Sequence, residues 1–201
     1  MENGIKRNKG VYNQMKKPKT KIKPRATIGK VPVWCAHDKI VPCVELIMNP
    51  KNPNTHPVKQ IEKLSHIISK QGWRLPITVS NRSGLIVRGH GRLEAAFKAG
   101  INKAPVDYQD YESEALEHAD LVADNYIAEL AVRDNDKLSE LLSELKVLDI
   151  DMELTAYDLN EIDEITNPNM VDPPGSRNDG PKEVECPQCG EIFIPSKGAA
   201  I

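Results

Sequence analysis

Apolar residues at helical spacing are clearest at Ile61, Leu64, Ile67 and Ile68, which share one broad face and predict a helix that stops at Gly72. Pro57 suits its first helical position, with Thr55 or His56 outside it. Two short apolar runs follow, ITV at 77–79 and LIV at 85–87, separated by the polar turn Asn81-Arg-Ser-Gly84; they predict a β-hairpin. Leu93 to Ala99 reads as a helix with Gly100 as its stop, and Pro105-Val-Asp-Tyr108 as another strand. Upstream, Val41 to Ile47 suggests a short strand with Pro42 at its start or on an edge. Val31-Pro-Val33-Trp34 suggests an edge strand or an extended lead-in. Downstream, Ser113 to Ala128 and Asp136 to Leu148 read as helices, and Leu159, Ile162 and Ile165 as a final short one. The order strand, helix, hairpin, helix, strand predicts a compact α+β core with a mixed sheet, followed by an acidic helical extension.

With 201 residues, the chain has room for one domain of ordinary size plus appendages. Aromatic residues make up 4%, so the core must come mainly from Leu, Ile, Val and Ala. Residues 1–30 hold ten Lys or Arg against one acidic residue, and no hydrophobic period; they read as a basic disordered arm. Residues 31–110 form the predicted core and 111–166 the helical extension that completes it. Between 107 and 165, nineteen acidic residues face three basic ones, so the net charge of −2 is a cancellation of opposite halves. Residues 167–184 have the Pro/Gly/Asn content of a linker, and 185–201 form a tail. Lys16, Lys17, Lys19, Lys21, Lys23 and Arg25 can neutralise phosphates of DNA without reading its sequence. The same arm can instead lie on the acidic helices or serve solubility. Without an apolar run of about 18 residues or a secretory leader, the expectation is a cytoplasmic or other intracellular protein with no membrane association.

The sharpest local signal is LIVRGHGRLEAAFKAG. A strand ends, Gly89 and Gly91 permit close backbone approach, and a helix begins, so its first N–H groups can meet phosphate oxygens. Arg92 can bridge such oxygens through its fork of donors, His90 can contact phosphate or move a proton, and Arg88 is a further anion contact. A purely structural tight turn is the competing reading. His56 can orient phosphate or cap the first helix. In the tail, Cys186-Pro-Gln-Cys189-Gly190 has the spacing of half a Zn²⁺ site. Unbound thiols and a redox pair are the alternatives, and the remaining Zn²⁺ ligands would come from Cys35 and Cys43 or from a second copy of the chain.

These landmarks make the sequence resemble the ParB/sulfiredoxin superfamily, and more closely the ParB-like domain that precedes many DNA modification methyltransferases. The matching segments are NPKNPNTHPVKQIEKL, QGWRLPITV, GLIVRGHGRLEAAFKAG, LVADNYIAELA and MELTAYDLNEIDEI, which span most of 42–165. The resemblance implies a ParB/sulfiredoxin-like mixed sheet. It also implies that Asn49, Pro50 and Asn54 lie in a turn near a nucleotide pocket, and that Gly89, His90, Gly91 and Arg92 form its phosphate-binding box. The box departs from the partition proteins' pattern: His90 takes an acidic position and Gly91 that of an arginine. Sulfiredoxin's catalytic cysteine is absent from this turn. Asp124 and Asn125 match an acidic–asparagine pair near bound metal and phosphates, which implies Mg²⁺; helix capping or a buried polar turn is the bland alternative.

Together these readings predict a nucleotide-binding, DNA-associated accessory or regulatory protein that takes a nucleoside triphosphate or other nucleotide with Mg²⁺, linked to a DNA-modification protein and able to form homo-oligomers. A Mg²⁺-dependent NTPase or phosphotransferase is the first alternative, although no general base is evident. A structural or partner-binding protein with a disused ancestral pocket is the second.

Overall fold

The computed structural model describes residues 22–148, 150–167, 184–185 and 192–193. The chain divides into two compact units, 1–130 and 131–201. In the first unit, β1 (Ala26–Ile28) and β2 (Val31–Val33) form an antiparallel hairpin, with Ile28 opposite Val31. β1 lies inside the stretch expected to be a disordered arm. Three residues, of which Ile28 is buried, are too few to produce a readable period.

The main sheet has the order β3 (Lys39–Pro42), β6 (Lys103–Gln109), β4 (Ile77–Ser80), β5 (Ile86–Arg88). β4 and β6 run parallel while the other two pairings are antiparallel, so the sheet is mixed. β3 ends at Pro42 and Cys43–Glu45 turn as a 3₁₀ helix, so the strand expected to reach Ile47 is shorter. Central β4 is buried along its whole length, as its continuous ITV run requires. α1 (Val58–Gln71) buries Ile61, Ser65 and Ile68, with Pro57 as its N-cap residue, one position outside the expected start. α2 (His90–Lys98) buries Leu93, Ala95 and Ala96 and packs on α1. Trp73, Ile77, Ile86, Leu93 and Val106, all at 1% exposure or less, anchor the core between these helices and the sheet.

α3 (Glu114–Glu129) belongs to the first unit and packs on β5. Its Ser113 side chain accepts the N–H of Leu116 at 3.3 Å, an N-cap in the sense of sequence and geometry alike. In the second unit, α4 (Asn135–Val147) buries Leu142 and α5 (Leu159–Thr166) buries Ile162. The Lys146 ammonium donates to Asp163 at 2.6 Å, joining the two helices. Asp134 caps α4, and Asp158 with Glu161 forms a capping box at α5. β7 (Val184–Glu185) pairs antiparallel with β8 (Ile192–Phe193). Cys186 and Cys189 lie outside the described residues, as do Lys16, Lys17, Lys19 and Lys21. No helix among the described residues is long and apolar enough to cross a membrane.

Candidate functional site

β5 delivers the chain to Gly89, which adopts the left-handed conformation at φ 99° and ψ 26°, and α2 begins at the next residue. A Cβ at Gly89 would be strained by that backbone and would stand 2.9 Å from an Arg92 guanidinium nitrogen. Glycine thus permits both the turn and the folding of Arg92 back over the helix start. The N–H of Leu93 donates to the Gly89 carbonyl at 3.1 Å. Helix geometry leaves the N–H groups of His90, Gly91 and Arg92 without an intrahelical acceptor, at the positive end of the helix.

Arg92 Nε is buried and has no hydrogen-bond partner among the described residues. Burial pushes the guanidinium pKa down, with the nearby Asp124 carboxylate opposing the shift. An arginine stays charged regardless, so this cation is partly withdrawn from water while one of its donors is unspent. That is costly in a structure that uses the charge for nothing.

The helix start forms one wall of a cleft of about 180 Å³. Asn52 and His56 line it from the segment leading into α1, Gln60 and Leu64 from α1, Arg88 from β5, and Asp124 and Asn125 from α3. The α3 residues are held there by two anchors. Fully buried Glu117 accepts from Ser80 Oγ at 2.8 Å and Ser83 Oγ at 2.5 Å, tying α3 to the β4–β5 turn. Arg88 donates to Asp120 and stands 3.5 Å from Asp124, while Tyr111 donates its hydroxyl to the other oxygen of Asp120 at 2.6 Å. The Asp120 hydrogen bond pushes the Arg88 pKa up, and burial with the same carboxylate pushes Tyr111 up, so its hydroxyl remains a donor.

Of the residues singled out in the sequence, Gly89, His90, Gly91, Arg92, Asp124 and Asn125 converge on this cleft. His90 is 6% exposed and its Nε2 accepts the backbone N–H of Asn49 at 3.3 Å. Burial first, then the neighbouring His56 and Arg92, pushes its pKa down to about 4, so the side chain is a neutral strut and only its backbone N–H faces an anion. Asn49 does not line this cleft. It is 3% exposed and lines a separate cavity of about 110 Å³, while its Oδ1 accepts the N–H of Lys51 at 2.9 Å. Asn54 is exposed and outside the lining, and Asn52 takes the place expected of it. Asn52 Oδ1 accepts from Asn125 Nδ2 at 3.3 Å. Lys23 and Arg25 are exposed near β1. Asn52 went unrecognised as a site residue because nothing in its local pattern separates a lining amide from a solvated one.

The unspent guanidinium nitrogens in the cleft, Arg88 Nε and Arg92 Nε, are donors of permanently charged groups, so its chemistry suits an anion. For a cation the lining offers one carboxylate, Asp124, already beside Arg88, and the amide oxygens of Asn125, Asn52 and Gln60. That set fits a Mg²⁺ that takes its other ligands from phosphate and water, and not a cage made by protein alone.

No family model matches the chain, and no curated protein is significantly similar to it. Among solved structures, it is similar to the C-terminally truncated chromosome-partitioning protein ParB of Caulobacter crescentus complexed with CTP-γ-S. The match has 20% identity over 64% of this chain and 76% of that one, with a TM-score of 0.53. The same ParB complexed to the centromeric parS site matches at 22% identity over 65% of each chain, with a TM-score of 0.38. Sulfiredoxin of Arabidopsis thaliana matches at 21% identity over 40% of this chain and 96% of its own, with a TM-score of 0.34. The fold assignment rests on the first of these. The chain has the ParB/sulfiredoxin fold, as its sequence motifs led one to expect.

Proposed function

We propose that the chain is a nucleotide-binding, DNA-associated accessory protein whose cleft holds the phosphates of a nucleotide. The observation that carries this reading is Arg92: a half-buried guanidinium whose buried Nε is unspent, folded back over the start of α2, where helix geometry leaves the first amides without intrahelical acceptors. Similarity in fold to a ParB complexed with CTP-γ-S supports a nucleotide as the source of those phosphates.

The cleft, at about 180 Å³, is below the roughly 300 Å³ at which pockets for drug-sized ligands begin. It therefore accommodates the phosphate end, and the nucleoside would lie along the adjoining surface. The amides of His90, Gly91 and Arg92 would bind one phosphate group, Arg92 would neutralise it, and Asp124 with Asn125 would hold Mg²⁺ arriving with the ligand. That ion would supply neutralisation of phosphate charge. DNA contact would come from the basic first thirty residues, with salt-dependent and sequence-tolerant affinity. The methyltransferase-type motifs favour a DNA-modification protein as partner. Zn²⁺ at Cys186 and Cys189, shared with a second copy, belongs to the same proposal.

Equilibrium binding of ATP, CTP and GTP, with and without Mg²⁺, tests the reading when hydrolysis products are followed in the same samples. Micromolar binding that Arg92→Ala abolishes is expected. No binding of any of the three, in either condition, contradicts it.

A further inference from the structure

α3 turns acids toward the body of the first unit and large apolar side chains away from it. Glu117 is buried against Ser80 and Ser83, and Asp120 and Asp124 face Arg88 of β5. Leu121 is buried beside them, but Leu116, Val122, Tyr126, Ile127 and Leu130 are each 52–66% exposed. A surface helix of ordinary amphipathic pattern shows the reverse arrangement. The bonds of Glu117 and Asp120 also keep α3 from rolling to bury its apolar side.

At about 100° per residue, the five exposed side chains and the alanines at 115, 119 and 123 fill one continuous arc of about 140°. No charged residue interrupts it. Leu116, Ala119, Ala123, Tyr126 and Leu130 have the alternating three- and four-residue spacing of a seam that packs against another helix, and Val122 and Ile127 broaden it. A contiguous apolar surface of this kind marks a place of contact.

The edges of the arc say what fits there. Asp120 and Asp124 border one side and Glu129 the other, and α3 contains no Lys or Arg. A second α3 laid along this face would set acid against acid at both edges, which disfavours a second copy as occupant. A helix that carries Lys or Arg beside its own apolar stripe complements the arc and both edges together.

We propose that the outward face of α3 is a docking surface for a partner protein, which contributes an amphipathic helix with basic residues flanking its apolar stripe. The face lies on the side of α3 turned away from Asn125 and the cleft, and the inference does not depend on the phosphate reading.

The test is fluorescence anisotropy of the full chain with two designed helical peptides of about 20 residues. Both have leucine at the seam positions; one carries lysine beside the seam and the other glutamate. The chains compared are the wild type, Leu116→Asp and Ile127→Asp near the two ends of the arc, and Val147→Asp on α4 as a control for added charge at an exposed site. Either arc variant that keeps the wild-type melting transition decides the matter. The lysine peptide is expected to bind the wild type with a Kd on the order of 10 μM, and the glutamate peptide at least about tenfold more weakly. Each arc variant should weaken lysine-peptide binding about tenfold even though it adds a negative charge, whereas Val147→Asp should not weaken it. Binding that the arc variants leave unchanged or strengthen is charge attraction alone and overturns the inference. Equal binding of the two peptides overturns the basic character of the partner. A full chain that binds neither peptide, including one whose own basic arm covers the face, overturns it as well. Sedimentation equilibrium of the same samples supplies the last arm: a wild-type dimer that Ile127→Asp dissociates makes the occupant a second copy and contradicts the proposal, while a monomer, or an assembly the variant leaves intact, agrees with it.

Discussion

The Nε2 of His90 accepts the backbone N–H of Asn49 at 3.3 Å, and this bond joins the Asn-Pro turn to the first residue of α2 across 41 positions of sequence. It requires a neutral imidazole, and burial provides one by pushing the pKa from 6.5 down to about 4. The unfolded chain takes up this proton near pH 6.5, the folded chain only near 4. Stability from this group is therefore fully present above pH 6.5 and is lost as pH falls toward 4, by up to about 3 kcal/mol. Urea unfolding at pH 7.5, 6 and 5 should show a falling midpoint, and His90→Gln should flatten that part of the slope. An equal slope in the variant would assign it to other groups.

Glu117 is a carboxylate at 1% exposure on α3, held by Ser80 and Ser83 with Arg82 3.9 Å away. Glu117→Ala leaves the buried Ser80 hydroxyl and the exposed Ser83 hydroxyl without their acceptor and removes one of the two anchors that hold α3 to the hairpin. A loss of about 2–4 kcal/mol in denaturant unfolding is expected. Ser83→Ala, which removes one of the two hydroxyl donors to Glu117, should cost less.

Arg92→Met separates stability from binding. Replacing a desolvated charge by an apolar side chain of similar length should stabilise the fold by about 1–2 kcal/mol. The same change should abolish nucleotide binding. Thermal melting and an affinity measurement on one preparation check both signs together; a destabilised variant would mean that the guanidinium has a structural partner in place of a ligand.

Much of this arrangement is legible in the chain. The hairpin follows from two apolar runs around Asn81–Gly84, and the phosphate-type turn from a strand ending directly at Gly89 before a helix rich in alanine. What could not be read is set by tertiary contacts. The Asn49 side chain turns into the second cavity because Lys51 and His90 fix the turn around it, which leaves Asn52 to reach Asn125. Glu117 reads as one more acid in an acidic segment, since its partners Ser80 and Ser83 lie more than thirty positions upstream. β1 is too short to show a period and exists through its pairing with β2.

The basic arm carries its own expectation. Residues 1–21 contain seven Lys or Arg. Removing them should lower DNA affinity and make the dependence of log K on log salt shallower, since fewer counterions are released per complex. Fluorescence anisotropy with duplex DNA at several salt concentrations reads both. An unchanged slope would place DNA contact elsewhere on the chain.

The central claim is that the amides at the start of α2 bind phosphate oxygens. Titration of ¹⁵N-labelled protein with inorganic triphosphate measures this at the atoms concerned. The amide resonances of His90, Gly91 and Arg92 should shift first and furthest, with the Arg92 Nε signal moving alongside them. Saturating triphosphate that leaves these four signals in place, or that shifts only residues remote from the cleft, would contradict the account.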